Sequence, residues 1–264
     1  DLVRSRGLGD VYKRQVLIRI LAGIEAPIKN NYTMKFITTI LSTLFCLSMQ
    51  AQLVTYPGTL STGMPHNDDY TIRVRIPGGE WKDLFEYNVQ VDMDKVQDAS
   101  MVQFDMGSPV ELMVKKNNGT VREVTIRPLS KGIEYKQIQN AILFTLEKPQ
   151  YLSIEFNGDR LHNLHLFANP LETEKYDKVE KDIMYFGPGI HRPKDLPNNQ
   201  IRIPSNTTVY LAPGTVVKAK LLVDKAENVR IIGRGILDHP VRGIEVTDSK
   251  NVLIDGITVV NPDH

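Results

Sequence analysis

Residues 228–233 (NVRIIG) and 251–256 (NVLIDG) repeat one short pattern, N-V-x-I-x-G, and they begin 23 residues apart. A weaker copy at residues 208–213 (TVYLAP) begins 20 residues before the first. A short strand-like run that recurs at this spacing is typical of a solenoid, in which each repeat forms one rung stacked on the last. We therefore predict that residues 181–264 form the first rungs of a parallel β-helix, cut short after about three rungs.

Apolar residues at alternate positions of each repeat are predicted to point into the coil. Strands of neighbouring rungs lie about 4.8 Å apart. The inward side chains should therefore stack in columns made of Val209, Leu211, Val229, Ile231, Val252 and Ile254. Asparagine recurs at the strand edges, where its side chain can bond the backbone of a turn. We expect this structural role, rather than contact with a ligand, for Asn228, Asn251 and Asn261.

The middle of the chain has a different pattern, in which apolar and polar residues alternate with a period of two. This alternation appears in residues 70–76, 87–93, 110–114 and 121–126, and it indicates antiparallel strands with one buried and one solvated face. Asn118-Gly119 is a strong hairpin signal between two such runs. We predict a β-sandwich over residues 52–170, a linker over residues 171–180, and an all-β protein overall.

The first 51 residues are interpreted as segments that contribute nothing to the fold. Residues 1–15 read as adapter sequence, with a disordered basic tail as the alternative, and residues 16–33 read as upstream sequence, with a short apolar helix around residues 16–18 as the alternative. Residues 34–51 then combine Met34, Lys35, about a dozen mostly apolar residues and a small residue at Ala51, which is the pattern of a cleaved signal peptide. A membrane span needs roughly 20 apolar residues. We therefore expect an exported protein of the bacterial periplasm or cell surface, with no membrane insertion after cleavage.

Charge and cysteine content exclude several classes of protein. Residues 52–264 contain 25 basic and 28 acidic residues, a net charge of −3, which offers no basic surface for nucleic acid or an anionic membrane. The single cysteine, Cys46, lies within the predicted signal peptide, so the mature chain should contain neither disulfides nor thiolate metal ligands. We expect a monomer with no metal and no cofactor.

Three stretches resemble the opening rungs of bacterial polygalacturonase-like glycoside hydrolases: residues 185–191 (YFGPGIH), 203–214 (IPSNTTVYLAPG) and 233–238 (GRGILD). Residues 251–264 also fit that group. A sandwich placed before the helix is similar to the layout of the dextranase and isopullulanase branch of the same right-handed parallel β-helix (pectate-lyase-like) superfamily. The resemblance covers residues 181–264 well, and residues 52–170 only in layout.

The resemblance implies hydrolysis of a polysaccharide with inversion at the anomeric carbon. One carboxylic acid protonates the leaving oxygen and a second carboxylate activates water, with the pair about 6.5–9.5 Å apart. In the family these aspartates lie on central rungs, which are expected beyond His264. We therefore assign no catalytic residue within this chain, and the substrate-binding residues and the polysaccharide itself stay open.

Each polar candidate in the rungs has a structural interpretation that we favour. Asp238 precedes His239 and Pro240 and is expected in a turn, and Asp255 is expected to face solvent. Asp248 and Asp263 are the remaining aspartates of the repeats, and His264 is a candidate rung-edge side chain. His191, beside a Pro-Gly corner, is expected to be structural.

The sandwich contains two further sets of candidates. His162 and His165 lack cysteines or carboxylates at ligand spacing, which argues against a metal site. Trp81 and Tyr87 are candidates for a sugar-stacking platform, although burial in the sandwich is the favoured interpretation.

Two alternatives to a hydrolase remain open. A polysaccharide lyase on the same scaffold would need calcium-binding carboxylates and an Arg or Lys base. A non-catalytic carbohydrate-binding or surface protein would show further rungs without clustered aspartates.

Overall fold

The computed structural model describes residues 52–56, 64–92, 94–192 and 197–262. The predicted tail and signal peptide, Cys46, Asp263 and His264 lie outside these ranges. Within them the chain forms 22 strands and two short 3₁₀ turns, Leu129–Lys131 and Pro197–Asn199, and no α-helix. In the same residues, no helix has the length and apolarity needed to cross a membrane.

The first eleven strands include the four predicted alternating runs, whereas residues 99–106 are buried at every position. They are β1 (Leu53–Thr55), β2 (Tyr70–Arg75), β3 (Lys82–Asp83), β4 (Tyr87–Val91), β5 (Gln97–Met106), β6 (Val110–Lys116), β7 (Val124–Arg127), β8 (Tyr135–Ile138), β9 (Ala141–Leu146), β10 (Gln150–Phe156) and β11 (Asp159–Pro170). One sheet has the order β1-β5-β11-β10-β7, with β4 also on β5, and the other has the order β3-β2-β6-β9-β8. The two sheets share one apolar core that includes Ile72, Phe104, Leu112 and Ile154.

Two features of the sandwich differ from the sequence prediction. The prediction of a hairpin at Asn118-Gly119 is wrong. Strand β6 pairs with β2 and β9, whereas β7 pairs with β10 in the other sheet. The turn crosses between sheets, and side-chain bonds hold it there: Asn118 Nδ2 donates to Asp69 Oδ1 at 2.8 Å. The second difference is that β11 runs parallel to β5. A parallel pair needs a long crossover, which strands β6 to β10 supply.

The remaining strands form a parallel solenoid of about three turns, as predicted. They are β12 (Ile183–Phe186), β13 (Gly189–His191), β14 (Gln200–Arg202), β15 (Thr208–Leu211), β16 (Thr215–Val217), β17 (Lys220–Asp224), β18 (Glu227–Gly233), β19 (Ile236–Asp238), β20 (Ile244–Thr247), β21 (Lys250–Asp255) and β22 (Thr258–Val260). The first solenoid sheet is β12-β15-β18-β21, the second is β13-β16-β19-β22 and the third is β14-β17-β20. Every pairing within them is parallel.

The register between rungs corrects the alignment of the weakest repeat. Thr208 lies opposite Arg230, two residues further along than the predicted partner, Asn228. The counterpart of Asn228 is Asn206, because Asn228 Nδ2 donates to Asn206 Oδ1 at 3.0 Å and Asn251 Nδ2 donates to Asn228 Oδ1 at 2.8 Å. All three asparagines have positive φ. They form a ladder of side-chain bonds between rungs, instead of the predicted bonds to turn backbones.

The predicted inward columns are present, and they differ in burial along the coil. Val209, Leu211, Val229 and Ile231 are fully buried. Val252 is only partly buried, and Ile254 on the last described rung is 44% exposed. Both residues keep register with Val229 and Ile231, so their exposure reflects their position on the outermost described strand.

The second solenoid sheet packs its outer face on the sandwich. Val216, Ile236 and Val260 project from successive rungs and form one apolar cluster with Tyr87 and Met101 of the sandwich. All the described strands belong to a single compact unit.

We predict that Gly233→Ala will strongly destabilise the solenoid. Gly233 has φ 126°, and a Cβ there would collide with the backbone of Leu211 on the rung beneath. The collision should add to the cost of the backbone conformation, for a total loss of about 3–4 kcal/mol in the free energy of unfolding, measured by chemical denaturation. Gly243→Ala is the matched control. It also has positive φ but meets only the Val259 side chain at 3.5 Å, and should cost about 1 kcal/mol. Equal losses in the two variants would contradict the close approach of the rungs.

Candidate functional site

The outer face of the first solenoid sheet has a column of side chains in register. Tyr185, Tyr210, Ile232 and Asp255 follow one another on successive rungs. The rings of Tyr185 and Tyr210 are stacked, with centroids 6.1 Å apart and planes inclined by 16°. Stacking of this kind follows directly from the short distance between rungs.

A segment that leaves the sandwich, residues 171–176, crosses this face, and we call it the strap. Tyr176 meets Tyr210 edge to face at 5.5 Å, and the Tyr210 hydroxyl donates to Glu172 Oε1 at 3.1 Å. Further along the strap, Glu174 accepts two bonds from the Arg230 guanidinium, at 2.6 and 2.8 Å. The strap therefore lies within the predicted linker, and it is tied to the solenoid by both aromatic and charged contacts.

A cavity of about 310 Å³ lies between the strap and the sheet. Its charged lining residues are Glu172, Glu174, Arg230, Arg234 and Asp255. Carboxylates and guanidinium groups at this density can bind a polar ligand rich in hydroxyl groups. Sequence analysis missed Glu172 as a candidate, because a glutamate in a charged linker shows no periodicity that separates it from its neighbours.

Arg234 forms the floor of this cavity, and it joins three parts of the structure. Its Nε donates to Asp105 Oδ1 of β5 at 2.7 Å, its Nη2 donates to the carbonyl of Pro170 at 2.6 Å, and its Nη1 donates to the carbonyl of Gly233 at 2.9 Å. Arg234 and Asp105 are 3% and 1% exposed. Burial by itself lowers the pKa of Arg234, but the hydrogen bond and charge of Asp105 outweigh it and leave the pKa raised.

Glu172 is the perturbed carboxyl group of the cavity. Burial raises its pKa above the ordinary range, although Arg234 and the bond from Tyr210 oppose the shift. Its second oxygen, Oε2, is buried and has no hydrogen-bond partner within the part of the chain that the structure describes. A carboxyl with a raised pKa beside a cleft is a physical mark of a functional site, and Glu172 carries it among the residues that the structure describes.

Asp238 is buried in a separate cluster at the end of β19. Its carboxylate accepts bonds from Lys218 Nζ at 2.6 Å and Asn261 Nδ2 at 2.8 Å, and it contacts His239 Nδ1 at 2.6 Å. Burial raises its pKa, but Lys218, Asn261 and His239 together lower it below the usual range. Asn261 Oδ1 in turn accepts the backbone N–H of Gln90 in β4 at 2.7 Å. The cluster therefore connects rungs to the sandwich. The predicted turn position of Asp238 is wrong, because Asp238 is the buried last residue of β19 and lies opposite Val260.

The other predicted residues occupy scattered positions. Asp248 and Asp255 are exposed. His191 Nε2 lies 2.7 Å from the carbonyl oxygen of Gly187, and its ring meets Phe186 edge to face at 5.3 Å, which are structural contacts of the kind expected.

The side chains of His162 and His165 contact different residues. His162 Nδ1 contacts Asp159 Oδ2 at 2.9 Å, whereas the ring of His165 stacks on Phe167 with centroids 6.5 Å apart. Among the described residues, no three His, Cys, Asp or Glu side chains are grouped as a metal site requires.

The structure separates Trp81 from Tyr87, so the stacking platform that would combine them is wrong. Tyr87 is 2% exposed at the contact between sandwich and solenoid. Trp81 lies under the Arg75 guanidinium at 4.2 Å, on the other sheet. An exposed ring occurs instead at Tyr151 on β10, beside the half-buried ring of Phe167 on β11. The exposure of Tyr151 could have been predicted from the sequence. Tyr151 alternates with the buried residues Leu152 and Ile154 of β10, so its side chain points to the opposite face of the sheet.

We predict that Arg234→Met will cost about 3–5 kcal/mol of unfolding free energy, because it leaves the Asp105 carboxylate buried without a partner. Chemical denaturation would measure the loss. Arg230→Met is the control, since its bond to Glu174 lies at the surface, where ion pairs contribute little. A small loss for Arg234→Met would show that Asp105 finds another partner.

We predict that stability will depend on pH through Glu172. The unfolded-state pKa of a glutamate is about 4.3, and the folded-state pKa of Glu172 is higher. At pH values between the two, the folded chain binds more protons than the unfolded chain. The free energy of unfolding therefore falls as pH rises through this interval. Glu172→Gln removes the titrating group, so the stability of the variant relative to the parent chain should increase as pH rises. Thermal melting at a series of pH values would test this.

Glu174→Gln should change the pH dependence of stability in the opposite direction, and it serves as the control for the same measurement. The bond from Arg230 lowers the pKa of Glu174, so that variant should lose stability relative to the parent as pH rises. If the melting temperatures of Glu172→Gln and the parent changed with pH in the same way, the raised pKa of Glu172 would be contradicted.

Comparison with known proteins gives a likeness among solved structures. No family model matches the sequence, and no curated protein matches it. Among solved structures, Dex49A from Penicillium minioluteum matches with a TM-score of 0.54 and 16% sequence identity, over 80% of this chain and 58% of that chain. A coverage of 80% includes the antiparallel sheets as well as the solenoid, and the chain spans less than two thirds of the length of Dex49A. The chain therefore shares with Dex49A the fold predicted from its repeats: antiparallel sheets followed by a parallel β-helix.

Proposed function

We propose that this chain belongs to an exported glycoside hydrolase that cleaves a polysaccharide. The observation that carries the proposal is the shared fold of a sandwich and a parallel solenoid with Dex49A, a dextranase, which makes this chain a glycoside-hydrolase-like scaffold. The residues of the resemblance, at 185–191, 203–214 and 233–238, lie within the solenoid strands and their corners. The sequence resemblance and the fold therefore point to the same class of enzyme.

The proposed mechanism is inverting hydrolysis by two aspartates on rungs that follow residue 264. Inversion needs carboxyl groups about 6.5–9.5 Å apart, which one step of about 4.8 Å between rungs and a sideways offset provide. The described rungs offer no such pair in register. Asp255 lies opposite Ile232, Asp238 lies opposite Val260, and Asp224 lies opposite Thr247.

The strap cavity is proposed to assist this reaction by binding, not by chemistry. Glu172 lines the cavity, and burial raises its pKa; its carboxyl group can accept a hydrogen bond from a sugar hydroxyl and, when protonated, can donate one. The Arg230 guanidinium and the Asp255 carboxylate on the same cavity wall offer a donor and an acceptor. These groups suit recognition of a hydroxyl-rich polymer beside a cleavage site on later rungs.

Export remains part of the proposal. It is supported by residues 34–51, whose sequence has a positively charged start, an apolar stretch and a small residue at Ala51. An extracellular or periplasmic location fits an enzyme whose polymeric substrate cannot enter a cell. A monomer is proposed as the working state.

The test is to extend the reading frame from the source DNA, express the extended chain and the present chain, and assay both on dextran and polygalacturonate. The extended chain should release reducing ends of inverted anomeric configuration, followed by NMR, whereas the present chain should release none. An Asp→Asn change in each candidate aspartate of the added rungs is the matched control.

Three results would contradict the proposal in different ways. Hydrolysis by the present chain would place the catalytic residues within the described rungs. Unsaturated uronate products would identify a lyase. Added rungs without paired aspartates, together with binding but no cleavage, would identify a carbohydrate-binding protein.

A further inference from the structure

One face of the sandwich carries aromatic side chains that do not belong to its core. On β10 and β11 the residues Leu152, Ile154, Leu164 and Leu166 point inward and are buried. The alternate residues point to the opposite side of the sheet. There Tyr151 lies directly opposite Phe167, and Ser153 lies opposite His165. The solenoid covers the neighbouring strands β4 and β5 but leaves Tyr151 55% exposed.

We call Tyr151, His165 and Phe167 the aromatic face. Tyr151 and Phe167 meet edge to face at 5.5 Å, with planes inclined by 84°, and His165 stacks on the other side of Phe167. Burial lowers the pKa of His165, so its imidazole is uncharged at neutral pH. The contacts hold three flat rings in a fixed arrangement on a rigid sheet, which reduces the entropy that a ligand must overcome to bind.

Three shallow grooves meet along this face and share its rings as walls. Their volumes are about 410, 580 and 190 Å³. The first two grooves share Tyr151, and the second and third share His165 and Phe167. The third groove reaches Val259 and Pro262 at the solenoid. The grooves therefore form one track that starts on the sandwich and ends at the second solenoid sheet.

The polar groups along the track are suited to a neutral ligand. Arg127 projects into the middle groove, and its Nε donates to Glu155 at 2.6 Å, so the two charges are matched. The Ser153 oxygen accepts a bond from Asn163 Nδ2 at 2.6 Å, and its hydroxyl hydrogen can be donated to a ligand. Lys131 lies at the first groove and adds one positive charge, which makes an acidic polymer the alternative that must be separated by experiment.

We propose that the aromatic face binds a neutral pyranose polysaccharide and aligns it along the track toward the solenoid. The apolar C–H surface of a pyranose ring packs on flat aromatic side chains, while its hydroxyl groups bond to the polar rim. A linear polymer suits a series of connected grooves better than a compact ligand does. The inference rests on the proposed function, since it places a substrate-holding surface beside the solenoid, but binding here requires no catalysis.

The test is native affinity electrophoresis of the full chain in gels containing dextran or polygalacturonate. Dextran should retard the parent chain, and Tyr151→Ala should weaken the affinity roughly 10-fold. Tyr151→Phe keeps the ring and should keep the binding. Tyr135→Ala is the matched control: Tyr135 is 39% exposed on the other sheet, and its loss should leave retardation unchanged. Thermal melting of each variant would show whether it has folded.

Several outcomes would overturn the inference. One is a folded Tyr151→Ala variant that binds dextran as the parent does, and another is a parent chain that binds only polygalacturonate. Co-sedimentation with phosphatidylcholine or phosphatidylglycerol vesicles that depends on Tyr151 would show that the face meets a membrane. Each of these results leaves hydrolysis by the extended chain as a separate question, so this inference and the proposed function can fail independently.

Discussion

The rung-to-rung register of the solenoid is the constraint on which the rest of the structure depends. Parallel strands of successive rungs bond to each other only if each turn of the chain returns to the same position. The described turns take 25, 22 and 23 residues, as the pairs Ile183–Thr208, Thr208–Arg230 and Glu227–Lys250 show. Corners of variable length absorb the differences, and the ladder of Asn206, Asn228 and Asn251 holds one corner in the same conformation on three rungs.

Register also decides what each face of the solenoid presents. Because residues on successive rungs lie about 4.8 Å apart, the column of Tyr185 and Tyr210 becomes an aromatic stack. In the same way, Val216 and Ile236 lie opposite each other, and together with Val260 on the next rung they form an apolar strip that packs against the sandwich. A shift of one residue in a strand would turn these side chains to the opposite face. The strap cavity and the contact with the sandwich therefore both depend on the pairing within the coil.

The sandwich is joined to the solenoid by polar groups as well as by apolar packing. Arg234 stands at a corner between two solenoid sheets and bonds to Asp105, to Pro170 and to its own neighbour Gly233. A buried ion pair adds little net stability compared with apolar packing, but its geometry admits one arrangement of β5, the end of β11 and the corner. The connection fixes the position of the sandwich, with the proposed sugar-binding face, relative to the solenoid.

The sequence by itself determined the local patterns: the repeat of N-V-x-I-x-G and the alternation in four of the sandwich strands. These follow from the nearest residues along the chain, since strand period and turn conformation are local properties. Only the tertiary structure decided that Asn118-Gly119 crosses between sheets, that Asn206 rather than Thr208 is the partner of Asn228, and that Tyr87 is buried while Tyr151 is exposed. It also decided the environment of Glu172, whose pKa depends on burial by residues far away in sequence. Pairing between distant strands and the burial it causes are set by which surfaces meet, and a single stretch of sequence does not contain that information.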